Sequence, residues 1–194
     1  MKPRFDSGSA RFLEALRVAA TLHAGKARKK TDMPDVGHLL GVCSIAMEFG
    51  ADEDDAIAAL LHDVIEDVRP VEKARAAVAE FGPEVLRIVE ACTDADMDPK
   101  PPWRERKEAY LAHLPDADAA ILLVSASDKL QNARAIVNDV HRGGPEIWER
   151  SNASREDTLW YYRSLVSAFR ANAASHQALV DELERTVAEM QRIG

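Results

Sequence analysis

Four ionisable side chains directly follow a wholly apolar stretch in the first third of the sequence. The apolar stretch covers residues 56–61, and the ionisable residues after it are His62, Asp63, Glu66 and Asp67. In a helix, at about 100° per residue, the four side chains share an arc of about 140°. Burying three carboxylates and an imidazole costs free energy unless their charge is compensated, and a divalent cation is the simplest compensation. The pattern therefore predicts a metal site at the end of a buried helix.

Two residues elsewhere complete a ligand set of this kind. His38 opens a predicted helix, and Asp128 follows the apolar residues 121–124 as though it were buried. With His62 and Asp63 they offer two imidazoles and two carboxylates. Mixed nitrogen and oxygen ligands with room for water favour a six-coordinate ion such as Mn²⁺ over a closed tetrahedral zinc site, although zinc, iron and cobalt take the same ligands.

The order and spacing of these motifs resemble the HD superfamily of metal-dependent phosphohydrolases. A closer resemblance, over roughly residues 12–169, is to the hydrolase domain of RelA/SpoT-type alarmone enzymes. It rests on three stretches, HAGKARK from His23, LLHDVIED from Leu60 and SDKLQNAR from Ser127. Those enzymes remove pyrophosphate from the ribose 3′ position of (p)ppGpp. The resemblance therefore implies an all-α fold and metal-dependent hydrolysis of a nucleotide 3′-diphosphate.

The same resemblance implies roles for individual residues. Glu66 and Asp67 would be the catalytic pair, one accepting a proton from the attacking water and one protonating the leaving 3′-oxygen, with the assignment between them open. Five residues would bind the nucleotide substrate: Arg28, Lys29, Asn132, Lys107 and Tyr161. The first two supply local positive charge in a net-acidic chain, and a guanidinium can also stack on a purine.

Two positions depart from the family pattern. Residues 31–37 replace a Gly-Glu-Pro-Tyr stretch, with Asp35 where the aromatic residue would fall, and Gln131 stands where the family commonly has histidine. Both changes concern the base and ribose end of the pocket more than the metal. They leave open which nucleotide is the substrate, guanine or adenine alarmone.

Three functions are compatible with these residues. The first is hydrolysis of (p)ppGpp or a related alarmone with release of pyrophosphate. The second is another HD phosphohydrolase, either a nucleotidase or a phosphatase acting on a ribose phosphate of a dinucleotide such as NADPH, which would release orthophosphate. The third is a nucleotide-binding regulatory module without catalysis. It ranks last, because the four ligands, Glu66 and Asp67 are all present.

Helical spacing of apolar residues accounts for nearly the whole chain. It predicts helices over residues 9–24, 38–49, 53–66, 71–81, 83–92, 103–114, 117–138, 154–172 and 176–192. No strand pattern is present, so we expect one all-α bundle of about eight to ten helices. The single domain would cover residues 1–194, with a core over about 12–170 and a C-terminal helix over 176–192. Residues 93–102 are a linker or a functional loop, and residues 141–145 a turn.

Composition excludes several classes of protein. The chain has 194 residues, with 25 Lys and Arg against 33 Asp and Glu, a net charge of −8. This balance disfavours nucleic acid and anionic membranes as partners. Two cysteines among apolar neighbours suggest buried free thiols. No apolar run suits a membrane span or a signal peptide, so we expect a cytoplasmic enzyme, and the length leaves no room for the synthetase domain of longer relatives.

Overall fold

The computed structural model describes residues 3–28, 31–97, 99–150, 153–172 and 174–193. These residues contain ten α-helices: α1 (Ala10–Leu22), α2 (Val36–Glu48), α3 (Glu53–Leu61), α4 (Val64–Asp67), α5 (Val71–Ala79), α6 (Pro83–Cys92), α7 (Trp103–His113), α8 (Ala119–Gly143), α9 (Arg155–Ala171) and α10 (Gln177–Arg192). Two 3₁₀ helices cover Leu114–Asp116 and Pro145–Arg150. The only β pairing in this part of the chain is an isolated bridge between Ala27 and Pro34, which confirms the all-α prediction.

Helix starts coincide with residues that can cap them. Asp52 accepts a hydrogen bond from the backbone N–H of Asp55, and the Asp55 side chain accepts from the backbone N–H of Asp52, which forms a reciprocal capping box before α3. Asp118 and Ser154 cap α8 and α9, and in each case one side-chain oxygen accepts a hydrogen bond from a backbone N–H of the first turn. These local signals explain why most predicted helix ends lie within two residues of the observed ends.

The elements that matter for the site are the most buried ones. Residues 56–61 of α3 are all buried, and α8 packs against α2, α3, α6 and α10. Cys43 and Cys92 are buried and free, as expected. No described helix is both long and apolar enough to cross a membrane. The junction of α2, α3 and α8 is therefore a rigid support for polar side chains that point into it.

Two predicted boundaries are wrong. The helix expected over residues 53–66 breaks after Leu61 and resumes at Val64. At this break the His62 ring bonds the carbonyl of Ala59, one of the free carbonyls at the end of α3. The backbone of His62 and Asp63 stays in the right-handed helical region across this break.

The second error concerns residues 141–145. α8 runs to Gly143, and the turn begins only at Gly144, whose φ of 75° favours glycine. His141 and Arg142 therefore lie in the last turn of a helix, where cationic side chains suit the helix dipole. Of the two adjacent glycines, Gly143 continues the helix and only Gly144 adopts the left-handed conformation.

Candidate metal centre and its surroundings

Two imidazoles and two carboxylates converge where α2, α3 and α8 meet. The Nε2 atoms of His38 and His62 lie 3.2 Å apart. An Oδ1 atom of Asp128 is 3.3 Å from the first and 3.6 Å from the second. Asp63 Oδ2 lies 3.4 Å and 3.3 Å from the same two nitrogens. The structure thus brings together all four residues that the sequence predicted as metal ligands.

Hydrogen bonds at the other ring nitrogens fix both tautomers. His62 Nδ1 lies 2.9 Å from the carbonyl oxygen of Ala59, and His38 Nδ1 lies 2.6 Å from Oε1 of Gln131. Since carbonyl oxygens only accept, each Nδ1 carries a hydrogen and each Nε2 faces the centre. When both rings are neutral, each Nε2 has a lone pair, and a cation between the two nitrogens offsets the repulsion of these lone pairs. Neighbouring ligands about 2.1 Å from one ion have similar spacings, so the donor set fits a divalent metal.

The imidazoles and the carboxylates stabilise each other's charged forms. Burial by itself lowers the pKa of His62, but the charge of Asp63 and the contact with Asp128 outweigh it and raise that pKa well above its usual value. His38 behaves similarly, with its pKa raised mainly by Asp128 and Asp63 against the effect of burial. Burial raises the pKa of Asp128, but nearby cations hold it well below its usual range. Metal binding therefore competes with protons held by the same groups.

Asp128 has a full set of supporting contacts. Its Oδ2 accepts from the Lys129 amine at 2.6 Å, and its Oδ1 accepts from the amide of Asn132. The Asn132 oxygen in turn accepts from the Arg28 guanidinium at 2.5 Å. The geometry allows Asp128 to pair with Lys129 and also to ligate a metal, because Oδ2 contacts the amine while Oδ1 faces the imidazoles. Arg134 pairs with Glu182 and not with Asp128.

Glu66 and Asp67 lie on the short helix α4, immediately after the two ligands. Glu66 Oε1 accepts from the amine of Lys100 at 2.6 Å. Loss of hydration against the surrounding protein, and then the charge of Asp63, raise the pKa of Asp67. The Asp67 backbone carbonyl accepts from the amine of Lys26 at 2.9 Å. The two carboxylates predicted to be catalytic therefore lie in different electrostatic surroundings, with Glu66 paired to Lys100 and Asp67 close to His23 and Asp35.

The other predicted substrate contacts fall into two groups. Arg28 and Asn132 form the first group and are joined by the hydrogen bond from the guanidinium to the amide oxygen. Lys107 on α7 and Tyr161 on α9 form the second group, with the amine 5.0 Å from the ring centroid. The Tyr161 hydroxyl is buried and has no hydrogen-bond partner among the residues that the structure describes. Lys29 lies outside the described residues, so its predicted contact stays a prediction.

Comparison with known proteins agrees with this geometry. Residues 15–159 match the family model of the HD domain. The chain belongs to the HD-domain family. This HD domain is 30% identical to a guanosine-3′,5′-bis(diphosphate) 3′-pyrophosphohydrolase, MESH1, of Drosophila melanogaster, over 91% of this chain and 94% of the relative. It is also 30% identical, over 65% of its length, to the bifunctional (p)ppGpp synthase/hydrolase SpoT of Escherichia coli, of which it spans only 18%.

Solved structures share the HD fold. A metazoan orthologue of SpoT, which hydrolyses ppGpp and plays a role in starvation responses, superposes with a TM-score of 0.72. The two sequences are 30% identical, and the match covers 91% of this chain and 95% of the orthologue. A Listeria monocytogenes protein superposes with a TM-score of 0.69 at 23% identity, over 80% of this chain and 99% of the other, and shows the fold alone.

Several residues around this HD site were missed by sequence reasoning. Lys26 and Lys100 contact the two candidate catalytic residues, and Asp94 contacts Lys107 at 3.1 Å. Asp35, noted only as a departure from the family pattern, bonds the buried His23 ring at 2.8 Å. Lys26 lies in the basic stretch that was singled out, which was a usable signal. The acidic and basic residues of the loop after α6 carry no spacing pattern that marks them.

Proposed function

We propose that this HD domain is a metal-dependent 3′-pyrophosphohydrolase of (p)ppGpp or a closely related alarmone, and that residues 1–194 act as one domain. The single observation that carries the proposal is the convergence of His38, His62, Asp63 and Asp128, with Glu66 and Asp67 directly after it. The activity of the Drosophila relative, which matches almost from end to end, supports the choice of substrate.

The metal ligands in this proposal are His38, His62, Asp63 and Asp128. Two nitrogens and two carboxylates suit Mn²⁺, with coordination positions left for water and substrate. When bound, such an ion polarises a phosphoryl oxygen and lowers the pKa of a water molecule. The chain's own part is to hold both imidazoles in the tautomer that presents Nε2, through Ala59 and Gln131.

Proton transfer falls to Glu66 and Asp67. One carboxylate takes a proton from the water that attacks the phosphorus attached to the 3′-oxygen. The bond from that phosphorus to the 3′-oxygen breaks, and the other carboxyl group protonates the leaving oxygen. The pKa of Asp67 is raised by loss of hydration and by Asp63, which makes its carboxylate a stronger base than an ordinary aspartate.

Substrate binding uses the two groups of cationic and aromatic residues. Arg28 and Asn132 form one, with Lys29 added from the sequence, and Lys107 and Tyr161 form the other. The Lys107 amine offers a charge to a phosphate, and the unpartnered Tyr161 hydroxyl offers a hydrogen bond. A nucleotide with phosphates at two positions has the anionic groups that such separate clusters require.

Product analysis tests the proposal. The purified protein is incubated with ppGpp, ppApp and NADPH in parallel, each with Mn²⁺ and with a chelator. We expect metal-dependent release of pyrophosphate from ppGpp, ppApp or both, and the relative rates assign the base. Release of orthophosphate from NADPH, without turnover of either alarmone, would overturn the proposal in favour of the ribose-phosphate phosphatase.

Two variants serve as controls for that experiment. The double variant His62→Ala/Asp63→Ala removes two ligands and is expected to abolish turnover. Glu184→Gln changes a carboxylate on the surface of α10 that pairs only with Arg170 among the described contacts, and it is expected to leave the rate unchanged. Residual turnover in the first variant equal to that of the second would contradict the assigned metal site.

A further inference from the structure

One carboxylate in the loop after α6 holds two cations. The side chain of Asp94 is only 7% exposed, although the residues at the other end of its loop are exposed. Its Oδ2 pairs with the guanidinium of Arg106 and lies 3.1 Å from the amine of Lys107. Its Oδ1 is buried without a hydrogen-bond partner in the described part of the chain. A carboxylate buried in this way is costly unless its cations stay in place.

The same contacts connect the loop to the start of α7. Arg106 donates a second hydrogen bond to the carbonyl of Pro101 at 3.1 Å. Through Arg106, Asp94 is therefore linked to Pro101 at the opposite end of its own loop. Through Lys107 it is linked directly to α7. Residues 93–97 and 99–102 are thus fastened at both ends rather than acting as a loose linker.

Lys107 needs an anion to stay charged. Its side chain is 16% exposed, and Arg106 and Lys129 are close enough to repel it. Burial, followed by these two cations, lowers the pKa of Lys107 to about 7, while Glu66 and Asp128 act in the opposite direction. Asp94 is the carboxylate in direct contact with the amine. It fixes where the amine sits before any substrate phosphate arrives.

We propose that Asp94 is a positioning residue, which holds the Lys107 amine in place for the distal phosphate of the substrate without touching the substrate. The inference rests on the proposed function, since that function makes Lys107 a phosphate contact. Its consequence is that the loop after α6 belongs to the phosphate-binding apparatus. The alternative is that Asp94 merely anchors the loop through Arg106.

A double-mutant cycle separates these two roles. Asp94→Asn and Lys107→Met are each expected to raise KM for the hydrolysed alarmone about tenfold, roughly 1.4 kcal/mol, with little change in kcat. If Asp94 acts through Lys107, the double variant is no worse than Lys107→Met alone. Multiplied effects in the double variant would overturn the inference, since Asp94 would then act by another route.

The same loop offers a matched control. Asp96 is 42% exposed and pairs with Arg75 at 3.3 Å, away from Lys107. Asp96→Asn removes the same charge from the same loop and is expected to leave KM unchanged. A rise in KM equal to that of Asp94→Asn would show a general effect of charge rather than positioning.

A conservative variant guards against loss of folding. Asp94→Glu keeps the charge but moves the carboxylate by one methylene, and we expect KM to rise two- to fivefold at an unchanged melting temperature. An unchanged KM in this folded variant would count against a positioning role.

Binding of pyrophosphate to metal-stripped, dialysed protein, measured by calorimetry, gives a readout independent of turnover. Weaker binding in Asp94→Asn and Lys107→Met would support the inference even if no alarmone were hydrolysed, so the two proposals fail separately. Equal binding in wild type and both variants would overturn the inference.

Discussion

The Nδ1–H of His38 donates to Oε1 of Gln131 across 2.6 Å, and this bond turns the opposite nitrogen of the ring toward the metal centre. The close packing of α2 and α8 makes the bond possible. A Cβ atom at Gly41 would lie 3.0 Å from Cγ of Gln131. The absence of a side chain at Gly41 therefore leaves the space that the Gln131 side chain occupies.

Replacing Gln131 should weaken metal binding without emptying the site. Gln131→Leu removes the acceptor for the His38 N–H, and loss of such an outer contact typically costs 10- to 100-fold in metal affinity. Calorimetric titration with Mn²⁺ measures the change. Gln177→Leu, which removes a surface partner of Arg170, is the matched control with no expected effect. Equal Mn²⁺ affinities in the two variants would show that the tautomer is fixed by something else.

Metal should stabilise the folded protein. At a free Mn²⁺ concentration 100 times its Kd, binding adds about 2.7 kcal/mol to the free energy of unfolding. Thermal melts with Mn²⁺ and with chelator measure this as a rise in Tm. His62→Ala is expected to lose most of the rise, because it removes one of two nitrogen ligands. An identical rise in the variant would place the bound ion elsewhere.

The pH dependence of kcat/KM should reflect the titration of Lys107. With a pKa of about 7, the amine is mostly charged at pH 6 and mostly neutral at pH 8. Its contribution to kcat/KM should therefore fall about tenfold over this range. Lys107→Arg stays charged throughout, so the ratio of wild-type to variant kcat/KM should fall as the pH rises. A constant ratio would mean that the amine remains charged in the free enzyme.

A rise in pH should increase the contribution of Lys107 to stability, whereas it lowers the contribution of Lys107 to activity. The pKa of Lys107 is about 7 in the folded protein and 10.5 as an ordinary value, so the unfolded chain binds more protons between these limits. The contribution of this residue to stability therefore rises with pH from 7 to 10.5. The difference in the free energy of unfolding between wild type and Lys107→Met, measured with denaturant, should grow with pH across this range. Parallel curves would contradict it.

The buried residues of α3, the helix that precedes His62, should contribute strongly to the stability of the fold. Leu61 is fully buried next to the ligand His62, and Leu61→Ala should lower the free energy of unfolding by about 2–5 kcal/mol. Leu40→Ala on α2 is the matched control, because that side chain is 46% exposed and should cost less than about 0.5 kcal/mol. Denaturant unfolding compares them. Similar losses would mean that α3 packs less tightly than described.

The helices and the convergence of the four candidate ligands were predictable because their signals are local. Apolar spacing and capping residues mark the elements, and His62 and Asp128 stand out because each follows an apolar run. The break at His62 was not predictable in this way. At this break the His62 ring bonds the Ala59 carbonyl, a contact that no local pattern in the sequence marks.

Contacts between distant segments account for the rest. The pairs Asp94 with Lys107 and Lys100 with Glu66 join a loop to helices that precede or follow it. Charged residues in a proline-rich loop look the same in a sequence whether they are solvated or buried against a partner. Only the packing of α7 beside this loop decides that Asp94 is covered.

One turn of α8 contacts three residues of other segments at once. Asp128 and Gln131 both face His38, Asp128 also faces His62, and Asn132 contacts Arg28. Deleting a single residue between positions 121 and 127 would rotate this turn by about 100° relative to the helix before it. The contacts with all three residues would be lost together, whereas the pair of Asp128 with Lys129 would move with the turn. In this segment the chain therefore tolerates exchanges of one apolar side chain for another far better than it tolerates any change in length.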